Sequence, residues 1–450
     1  MAEVVVRSCI GWRIPVKNTD ALRRHILTRR SSVAVIGQGY VGLCLACAAA
    51  TEGFSVVGID IDADRVHELD GGTLTVPGVP VDLFRDGIAT GRLRFATGAD
   101  AASEADVILI CVPTPLLDGV PDLRFVDGAC EDVARVLQKD TLVVLESTTY
   151  PGTTDGRART ILESTGLTAG EDFLLAYSPE RIDPGNAEFD LRNTPKVVGG
   201  TSREATQVAT LFYGQFVDKI VEVSSARAAE LAKLLENTFR HVNIGLVNEL
   251  AMLCHEMGID VWEVIDAAAT KPFGFMPFFP GPGVGGHCIP LDPTYLSWQV
   301  RRDVGRQFRI LEQAEDVNAQ APRYVTDRIA ESLNDRGLAV RGATVVVLGV
   351  SYKPDVGDLR ESPPLRVIDH LERRGATIAF HDPYVTLIET TNGVLQRREL
   401  SRDLIQEADC VALLTPHSSY DLTWIADNAR LVFDARNAYG PDPNPSVERL

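Results

Sequence analysis

The sequence has no uninterrupted apolar run that approaches the roughly 18 residues of a membrane-spanning helix, so we expect no membrane span. Its first 30 residues carry Arg, Lys, His, Asp and Pro throughout, which excludes a typical secretory signal peptide. Basic residues are also few, because 44 Lys and Arg stand against 62 Asp and Glu, giving a net charge of −18. This charge disfavours nucleic acid and anionic membranes as partners, and an anionic substrate would need a locally basic pocket.

Cysteine is sparse and dispersed, with no spacing typical of a disulfide framework or of a metal site. Cys44 and Cys47 form a C-x-x-C pair, but they lie in an apolar run, which favours two buried helical thiols over a redox pair. We therefore predict a reducing, cytoplasmic setting and no bound metal. The eight cysteines are Cys9, Cys44, Cys47, Cys111, Cys130, Cys254, Cys288 and Cys410.

Alternating strand-like and amphipathic stretches indicate an α/β protein, and 450 residues allow two or three domains. Strand-like runs followed by helical patterns predict a doubly wound parallel sheet in each half of the chain. The predicted strands are Val33–Ile36, Ser55–Ile59, Val107–Val112, Leu142–Leu145, Phe173–Ala176, Lys196–Val198, Thr344–Gly349, Thr377–Phe380, Cys410–Leu414 and Leu431–Phe433.

One helical pattern, from Ser225 to about Glu256, is longer than an ordinary globular helix. Such a helix commonly links domains or pairs subunits, so we predict a homodimer. The whole pattern predicts four segments. They are an N-terminal extension (1–30), a first Rossmann-like α/β domain (31–224), a central helical region that includes the long helix (225–320), and a second Rossmann-like α/β domain (321–450).

Gly37, Gly39 and Gly42 form a G-x-G-x-x-G turn between a strand and a helix, the context in which this motif binds a dinucleotide. Asp60 ends the next strand, where a carboxylate accepts the ribose hydroxyls and repels a 2′-phosphate. The pattern predicts NAD rather than NADP. Arg65 is a further candidate for ribose contact, although a surface arginine is the simpler interpretation.

The loop from Gly281 to Pro293 carries one thiol, Cys288, with the carboxylate of Asp292 four residues later. Its glycines permit close approach to a ligand and its prolines stiffen the turn, so we expect Cys288 to be displayed as a nucleophile. On the long helix, Lys233 and Asn237 share a face and suit an oxyanion, unless that face is merely solvated.

A proline-bounded loop contains Glu180 next to Arg181, directly after a predicted strand. Glu180 is a candidate general base, and an ordinary loop ion pair with Arg181 is the alternative.

Together these motifs resemble the UDP-glucose/GDP-mannose dehydrogenase family, from about Val33 to Asn437. The residues that carry the resemblance are Gly39-Tyr-Val-Gly42, Val112-Pro-Thr-Pro115, Glu146-Ser-Thr148, Ser178-Pro-Glu180-Arg181, Lys233 with Asn237, and Gly285-Gly-His-Cys288 with Asp292. The stretch from Thr270 to Pro290 looks like the UDP-N-acetylglucosamine 6-dehydrogenase branch.

The resemblance implies a role for each matching residue. Cys288 would capture a C6 aldehyde, Lys233, Asn237 and Asp292 would stabilise oxyanions and manage protons, Thr148 would position water, and Glu180 would assist thioester hydrolysis. NAD would contact the glycine turn with Tyr40 and Val41, together with Thr114 and Thr148. Substrate would contact Glu180, Arg181, Lys233, Asn237, Tyr352, Lys353 and Arg436.

Two departures from the family pattern bear on the sugar site. Pro184 stands where glucose-oxidising members have a second glutamate, so the sugar must be anchored differently. Those members also supply an arginine from the neighbouring subunit, and here the nearest basic candidate is Lys271.

The resemblance predicts an NAD-dependent four-electron oxidation at C6 of a UDP- or dTDP-linked glucose or N-acetylglucosamine, which yields the uronic acid and two NADH. A two-electron hydroxyacid dehydrogenase of the 6-phosphogluconate type is the alternative enzyme. A non-catalytic nucleotide-sugar sensor is the alternative from another class.

Overall fold

The computed structural model describes residues 19–182, 188–286, 289–441 and 444–450. The chain divides into two compact units, with the division between Lys233 and Leu234. Each unit is built on a largely parallel sheet with helices packed against it, which confirms the predicted doubly wound α/β class.

Among the described residues, the first unit contains a sheet of eight strands in the order β10-β9-β8-β7-β4-β1-β2-β3 and a small β5-β6 hairpin. All neighbouring strands of the large sheet are parallel except β8 and β9. The strands are β1 (Ser32–Ile36), β2 (Ser55–Ile59), β3 (Leu93–Ala96), β4 (Val107–Ile110), β5 (Leu116–Leu117), β6 (Val120–Pro121), β7 (Leu142–Leu145), β8 (Leu174–Tyr177), β9 (Lys196–Gly200) and β10 (Ile220–Glu222).

The helices of this unit cover both faces of the sheet. They are α1 (Thr19–Leu27), α2 (Tyr40–Thr51), α3 (Ala63–Asp70), α4 (Val81–Ala89), α5 (Arg124–Val136), α6 (Arg159–Leu162), α7 (Arg203–Tyr213) and the long α8 (Ala226–Met257), which crosses the division. Shorter turns of 3₁₀ or π helix occupy Ala99–Ala102, Thr153–Ala158 and Glu163–Thr165.

The strand order places a topological switch point between β1 and β4. The chain leaves β1 towards β2 on one side and returns to β4 on the other, so the loops that follow these strands diverge. Ligands bind in the crevice that forms at such a point, beyond the carboxyl ends of the strands. The predicted glycine turn, Asp60 and Thr114 all follow these strands.

The described part of the predicted N-terminal extension contributes to the core of the first unit. The sequence pattern did not predict a core helix there. Helix α1 buries Leu22 and Ile26, one turn apart, in the main apolar cluster, and Arg23 forms an ion pair with Glu204 on α7. The three large apolar residues of α1, Leu22, Ile26 and Leu27, form too short a pattern to distinguish this helix from a solvated segment.

The second unit has a sheet of five parallel strands, in the order β12-β11-β15-β16-β17, and a β13-β14 hairpin within the described residues. The strands are β11 (Thr344–Leu348), β12 (Thr377–His381), β13 (Leu387–Thr390), β14 (Gly393–Gln396), β15 (Cys410–Leu413), β16 (Val432–Asp434) and β17 (Val447–Arg449). The helices are α9 (Val261–Ala269), α10 (Asp292–Gln299), α11 (Arg309–Asn334), α12 (Pro363–Arg373), α13 (Arg402–Glu407) and α14 (Leu422–Asn428), with a π turn at Val300–Val304.

Two long helices bear on the predicted segments. Helix α8 matches the predicted long helix within one residue at each end, and α11 runs continuously through residue 320. The four-segment division remains a prediction. None of the described helices combines the length and the apolar character that crossing a membrane requires.

Candidate active site

Each glycine of the turn after β1 is required for a different physical reason. Gly37 has φ +91°, and a Cβ there would lie 2.5 Å from the Cys111 carbonyl oxygen. A Cβ on Gly42 would overlap the Gly37 carbonyl oxygen, so this glycine permits close packing of α2 on the turn. At Gly39, the N-cap of α2, a Cβ would meet no protein atom within 4 Å. The turn therefore leaves space at Gly39, where the pyrophosphate of a dinucleotide needs to approach the helix N-terminus.

Asp60 lies directly after β2 and is held by its own loop. Its carboxylate accepts hydrogen bonds from the backbone N–H of Gln38 at 2.7 Å and of Asp62 at 3.0 Å, and Arg65 approaches it at 3.1 Å. Only 8% of Asp60 is exposed. Arg65 is thus an ion-pair partner of the ribose-binding candidate, rather than a merely solvated arginine.

The other predicted cofactor residues lie on α2 and on the loops after β4 and β7. Tyr40 and Val41 form the first turn of α2, and Thr114 is buried in the loop after β4. Thr148 is half-buried in the loop after β7, next to Ser147, whose hydroxyl donates to the Val112 carbonyl at 2.7 Å. This bond ties the two loops together at the switch point.

Glu230 holds the continuation of the Thr148 loop and was not singled out from the sequence. Its carboxylate accepts from the backbone N–H of Gly152 and Thr154 at 2.6 and 2.8 Å and from the Thr154 hydroxyl at 2.7 Å. Burial raises the pKa of Glu230 to about 7. Because Glu230 precedes Lys233 by one turn on α8, this anchor fixes the loop against the helix that carries Lys233.

The partner of Glu180 is Lys196, the first residue of β9. Lys196 Nζ lies 3.2 Å from Glu180 Oε2 and 2.9 Å from Glu146 Oε2, while Glu180 Oε1 accepts from the backbone N–H groups of Arg181 and Ile182. Arg181 directs its guanidinium to the Pro195 carbonyl. The ion pair that holds Glu180 therefore involves Lys196 and not the neighbouring arginine.

Lys233 and Asn237 lie one turn apart on α8, and each is 9% exposed. The alternative of a solvated polar face is therefore wrong. Asn237 Nδ2 donates a hydrogen bond to Oδ2 of Asp292, which is buried at the start of α10. The structure thus joins two residues that are far apart in the sequence and were predicted to share a site.

His241 extends this row of polar residues by one further turn. It is buried against Asn318 of α11, whose Nδ2 donates to the His241 carbonyl at 3.0 Å. Asn318 also accepts from Asn248, and Asn248 accepts from the Gly281 N–H at 3.0 Å, where the cysteine loop begins. Burial lowers the pKa of His241 to about 4, so the ring is neutral near pH 7.

The glycines of the cysteine loop lie against the predicted substrate residues of the second unit. A Cβ on Gly281 would lie 2.5 Å from the Arg436 guanidinium, and one on Gly286 would lie 2.9 Å from the Tyr352 ring. Burial lowers the pKa of Arg436 to about 10, so it remains a cation at neutral pH. Cys288 and its neighbour His287 lie outside the described residues, and the display of the thiol remains a prediction.

Lys353 follows Tyr352 in the loop after β11, and buried polar groups hold this loop by hydrogen bonds to its backbone. Asp382 accepts from the backbone N–H of Val350 at 2.8 Å and pairs with His417, and His417 accepts from the Asp355 N–H at 2.9 Å. Lys271 lies on an exposed stretch after α9, with its ammonium 5.1 Å from the centre of the Phe273 ring. Its predicted substitution for an intersubunit arginine stays a prediction.

These observations define a class of protein: a two-unit dehydrogenase with a dinucleotide turn in one parallel sheet and a cysteine loop packed against a second. Three models of the UDP-glucose/GDP-mannose dehydrogenase family match the chain. The NAD binding domain matches residues 31–217, the central domain residues 227–320 and the UDP binding domain residues 346–441. The chain belongs to this family, is a nucleotide-sugar dehydrogenase and uses NAD.

Relatives of this chain include proteins that act on amino sugars. It is 33% identical over 417 residues to the UDP-N-acetyl-D-mannosamine dehydrogenase of Pyrococcus horikoshii, covering 91% of this chain and 96% of that protein. It is 33% identical over 421 residues to the NDP-N-acetyl-D-galactosaminuronic acid dehydrogenase of Ralstonia nicotianae, covering 91% and 96%. A solved structure of the UDP-D-ManNAc dehydrogenase from Pyrococcus horikoshii matches with a TM-score of 0.84 and 32% identity, over 93% of this chain and 98% of that chain.

Proposed function

We propose that this chain oxidises C6 of a UDP-linked N-acetylhexosamine to the carboxylate and reduces two NAD⁺ for each sugar. The contact of the Gly281–Gly286 loop with Tyr352 and Arg436, together with the Asn237–Asp292 hydrogen bond, carries the proposal. Arg436, the cation that we propose for the diphosphate, lies against the loop that bears the predicted nucleophile. The names of the relatives favour an N-acetylated sugar, with N-acetylmannosamine and N-acetylgalactosamine as the first candidates.

The residues at the first switch point fit NAD. Open space at Gly39 suits a pyrophosphate, and the Asp60 carboxylate suits the ribose hydroxyls. NAD⁺ supplies a hydride acceptor for each of the two oxidations. The neighbouring loops, which carry Thr114 and Thr148, would orient it.

Charge develops on oxygen whenever the sugar loses a proton or is attacked. Lys233 offers an ammonium and Asn237 an amide, and both side chains are largely withdrawn from water. Preorganised donors in such a place stabilise oxyanions more strongly than water does. Asp292, hydrogen-bonded to Asn237, would fix the amide and take up protons released in the reaction.

Cys288 would act after the first oxidation. Its sulfur adds to the C6 aldehyde to give a thiohemiacetal, which loses a hydride and a proton and becomes a thioester. Water, positioned by Thr148 and assisted by Glu180, then cleaves the C–S bond, releasing the carboxylic acid and restoring the thiol. Two hydrides leave C6 in total, so two NAD⁺ are consumed.

The nucleotide diphosphate would bind to Tyr352, Lys353 and Arg436, with both cations facing its phosphates. Arg181 and Lys271 would contact the sugar end, where Pro184 replaces the second glutamate of the glucose-oxidising members. The exposed apolar stripe of α8 supports a homodimer. Its residues are Leu231, Leu235, Phe239, Leu246, Leu253 and Met257.

A screen for NADH release tests the proposed function. UDP-linked N-acetylmannosamine, N-acetylglucosamine, N-acetylgalactosamine and glucose, together with dTDP-glucose, are compared at equal concentration, with Cys288→Ala as the control protein. We expect one UDP-N-acetylhexosamine to give the highest kcat/KM and no steady turnover in Cys288→Ala. A preference for UDP- or dTDP-glucose would contradict the proposed UDP-N-acetylhexosamine substrate. If none of these sugars releases NADH, the result favours the alternative of a non-catalytic nucleotide-sugar sensor.

A further inference from the structure

Glu146, Lys196 and Tyr213 form a buried group beneath Glu180, which we call the Lys196 cluster. Glu146 follows β7, Lys196 begins β9 and Tyr213 ends α7, so three separate elements converge on it. The Lys196 ammonium contacts Glu146, Glu180 and the Pro179 carbonyl at 2.9, 3.2 and 3.4 Å and lies 5.0 Å from the centre of the Tyr213 ring. The Tyr213 hydroxyl donates to the second oxygen of Glu146.

Glu180 is the most exposed side chain of this arrangement. The side chains of Glu146 and Lys196 are 0% and 4% exposed, and Tyr213 is fully buried, whereas that of Glu180 is 10% exposed. Glu180 is therefore the end of the network that approaches the surface. One of its oxygens is fixed by two backbone N–H groups and the other by Lys196.

The charges do not balance when both glutamates are ionised, since one ammonium faces two carboxylates. Burial raises the pKa of Glu146 to about 7, against the opposing influence of Lys196. Burial and Glu146 also raise the pKa values of Tyr213 and of the nearby Cys111 thiol, so neither is a competing anion. Near neutral pH, then, Glu146 determines whether Lys196 is shared between two carboxylates or serves Glu180 alone.

We propose that Lys196 is a positioning residue for Glu180 in thioester hydrolysis, and that Glu146 and Tyr213 hold Lys196 in register. The inference rests on the proposed function, in which Glu180 assists that hydrolysis. A base must present a fixed, ionised carboxylate to water, and an adjacent ammonium fixes it. Ionisation of Glu146 strengthens its ion pair with Lys196 and so holds the ammonium in register beside Glu180, and hydrolysis should therefore accelerate as Glu146 loses its proton.

Rapid-mixing measurements of NADH separate the oxidations from the hydrolysis. Lys196→Met alone would leave two carboxylates buried without a cation, so the test variant combines it with Glu146→Gln. We expect a burst of two NADH per site at nearly the rate of the Glu146→Gln single variant, followed by turnover at least about tenfold slower than in that variant, with the acyl adduct visible by intact mass. Lys196→Arg keeps the positive charge and should therefore hydrolyse the adduct faster than the Lys196→Met variant does.

Lys219→Met is the matched control, because it removes an exposed lysine from the residue just before β10. It should leave burst and turnover unchanged. Tyr213→Phe removes one hydroxyl and no charge, and it provides the second variant if the double variant does not fold. It should slow the same phase by about two- to fivefold and leave the burst intact.

The pH arm uses Glu146→Gln. In the unsubstituted protein the hydrolysis rate should rise through neutral pH, and in this variant that rise should disappear while the burst remains. A folded double variant that hydrolyses at the rate of Glu146→Gln, or a Tyr213→Phe variant that hydrolyses at the unsubstituted rate, overturns the role of Lys196. An unchanged pH profile in Glu146→Gln overturns the role of Glu146. If the unsubstituted protein forms no adduct, or if Cys288→Ala turns over, the proposed function fails instead.

Discussion

Asn237 on α8 and Asp292 at the start of α10 are joined by a hydrogen bond in which the amide donates to the carboxylate. The bond leaves the amide oxygen and one N–H of Asn237 for other partners, and it orients both residues with respect to the loop that ends at Asp292. An amide fixed in this way needs no reorganisation when negative charge develops beside it. The geometry therefore leads to a direct prediction for substitution of Asn237.

Asn237→Ala should lower kcat/KM by about 10²–10³, the usual loss when one oxyanion donor is removed. NAD binding and thermal stability should change little. The matched control is Asn243→Ala on the same helix, since Asn243 bonds only to its own helix through the Phe239 carbonyl in the described contacts. Equal losses in the two variants contradict the assignment.

Gly39→Val should abolish NAD binding without unfolding the protein. Gly39 has φ −77°, which any residue adopts, and a Cβ there would have no protein atom within 4 Å. The valine side chain would instead occupy the place of the pyrophosphate, so the affinity for NAD should fall at least about a hundredfold with an unchanged Tm.

Gly42→Ala should instead lower the Tm, because the added Cβ would overlap the Gly37 carbonyl oxygen inside the protein. Calorimetric titration with NAD and thermal melts check both variants.

The sequence predicted the two parallel sheets, the glycine turn and α8 because each depends on local periodicity or on short motifs. Strand β3 was missed, since its four residues, only one of them buried, give too short a pattern. The role of Lys196 was missed for another reason. Its partners Glu146 and Glu180 lie 50 and 16 residues away, and a lysine at the start of an apolar strand looks like an exposed strand end.

Other outcomes depended on tertiary packing. Helix α8 alone did not reveal whether Lys233 and Asn237 face solvent, because the opposite stripe of the helix, including Leu235 and Leu246, is the exposed one. An amphipathic pattern identifies two faces, and only the surrounding elements determine which is covered. Likewise, Glu230 reads as an ordinary helical glutamate until the Gly152–Thr154 turn is placed against it.

Acid should destabilise the protein through His241. The pKa of its ring is lowered from 6.5 to about 4, so the folded state binds fewer protons than the unfolded state between these values. The neutral His241 ring makes its full contribution to the free energy of unfolding above pH 6.5. That contribution is lost as the pH falls towards about 4, which lowers the free energy of unfolding by up to ~3 kcal/mol. His241→Gln should lose less stability than the unsubstituted protein between pH 7 and pH 5 in urea unfolding. Parallel curves for the two proteins would exclude His241 as the cause.

Leu246→Asp should produce a monomer. Leu246 lies in the exposed apolar stripe of α8, with 61% of its surface exposed, and a carboxylate there would be costly to bury against a second copy. Val394→Asp, a comparably exposed substitution on the β14 hairpin, should remain dimeric. Light scattering distinguishes the two masses, and an unsubstituted protein that is monomeric and active refutes the homodimer.

The count of NADH per sugar tests the central claim most directly. A limiting amount of the preferred UDP-N-acetylhexosamine is consumed completely with excess NAD⁺, and both NADH and the sugar acid are quantified. The account predicts two NADH for each acid formed, with no free aldehyde, and no completed turnover by Cys288→Ala. One NADH per sugar, or complete turnover without the thiol, would contradict the four-electron covalent mechanism.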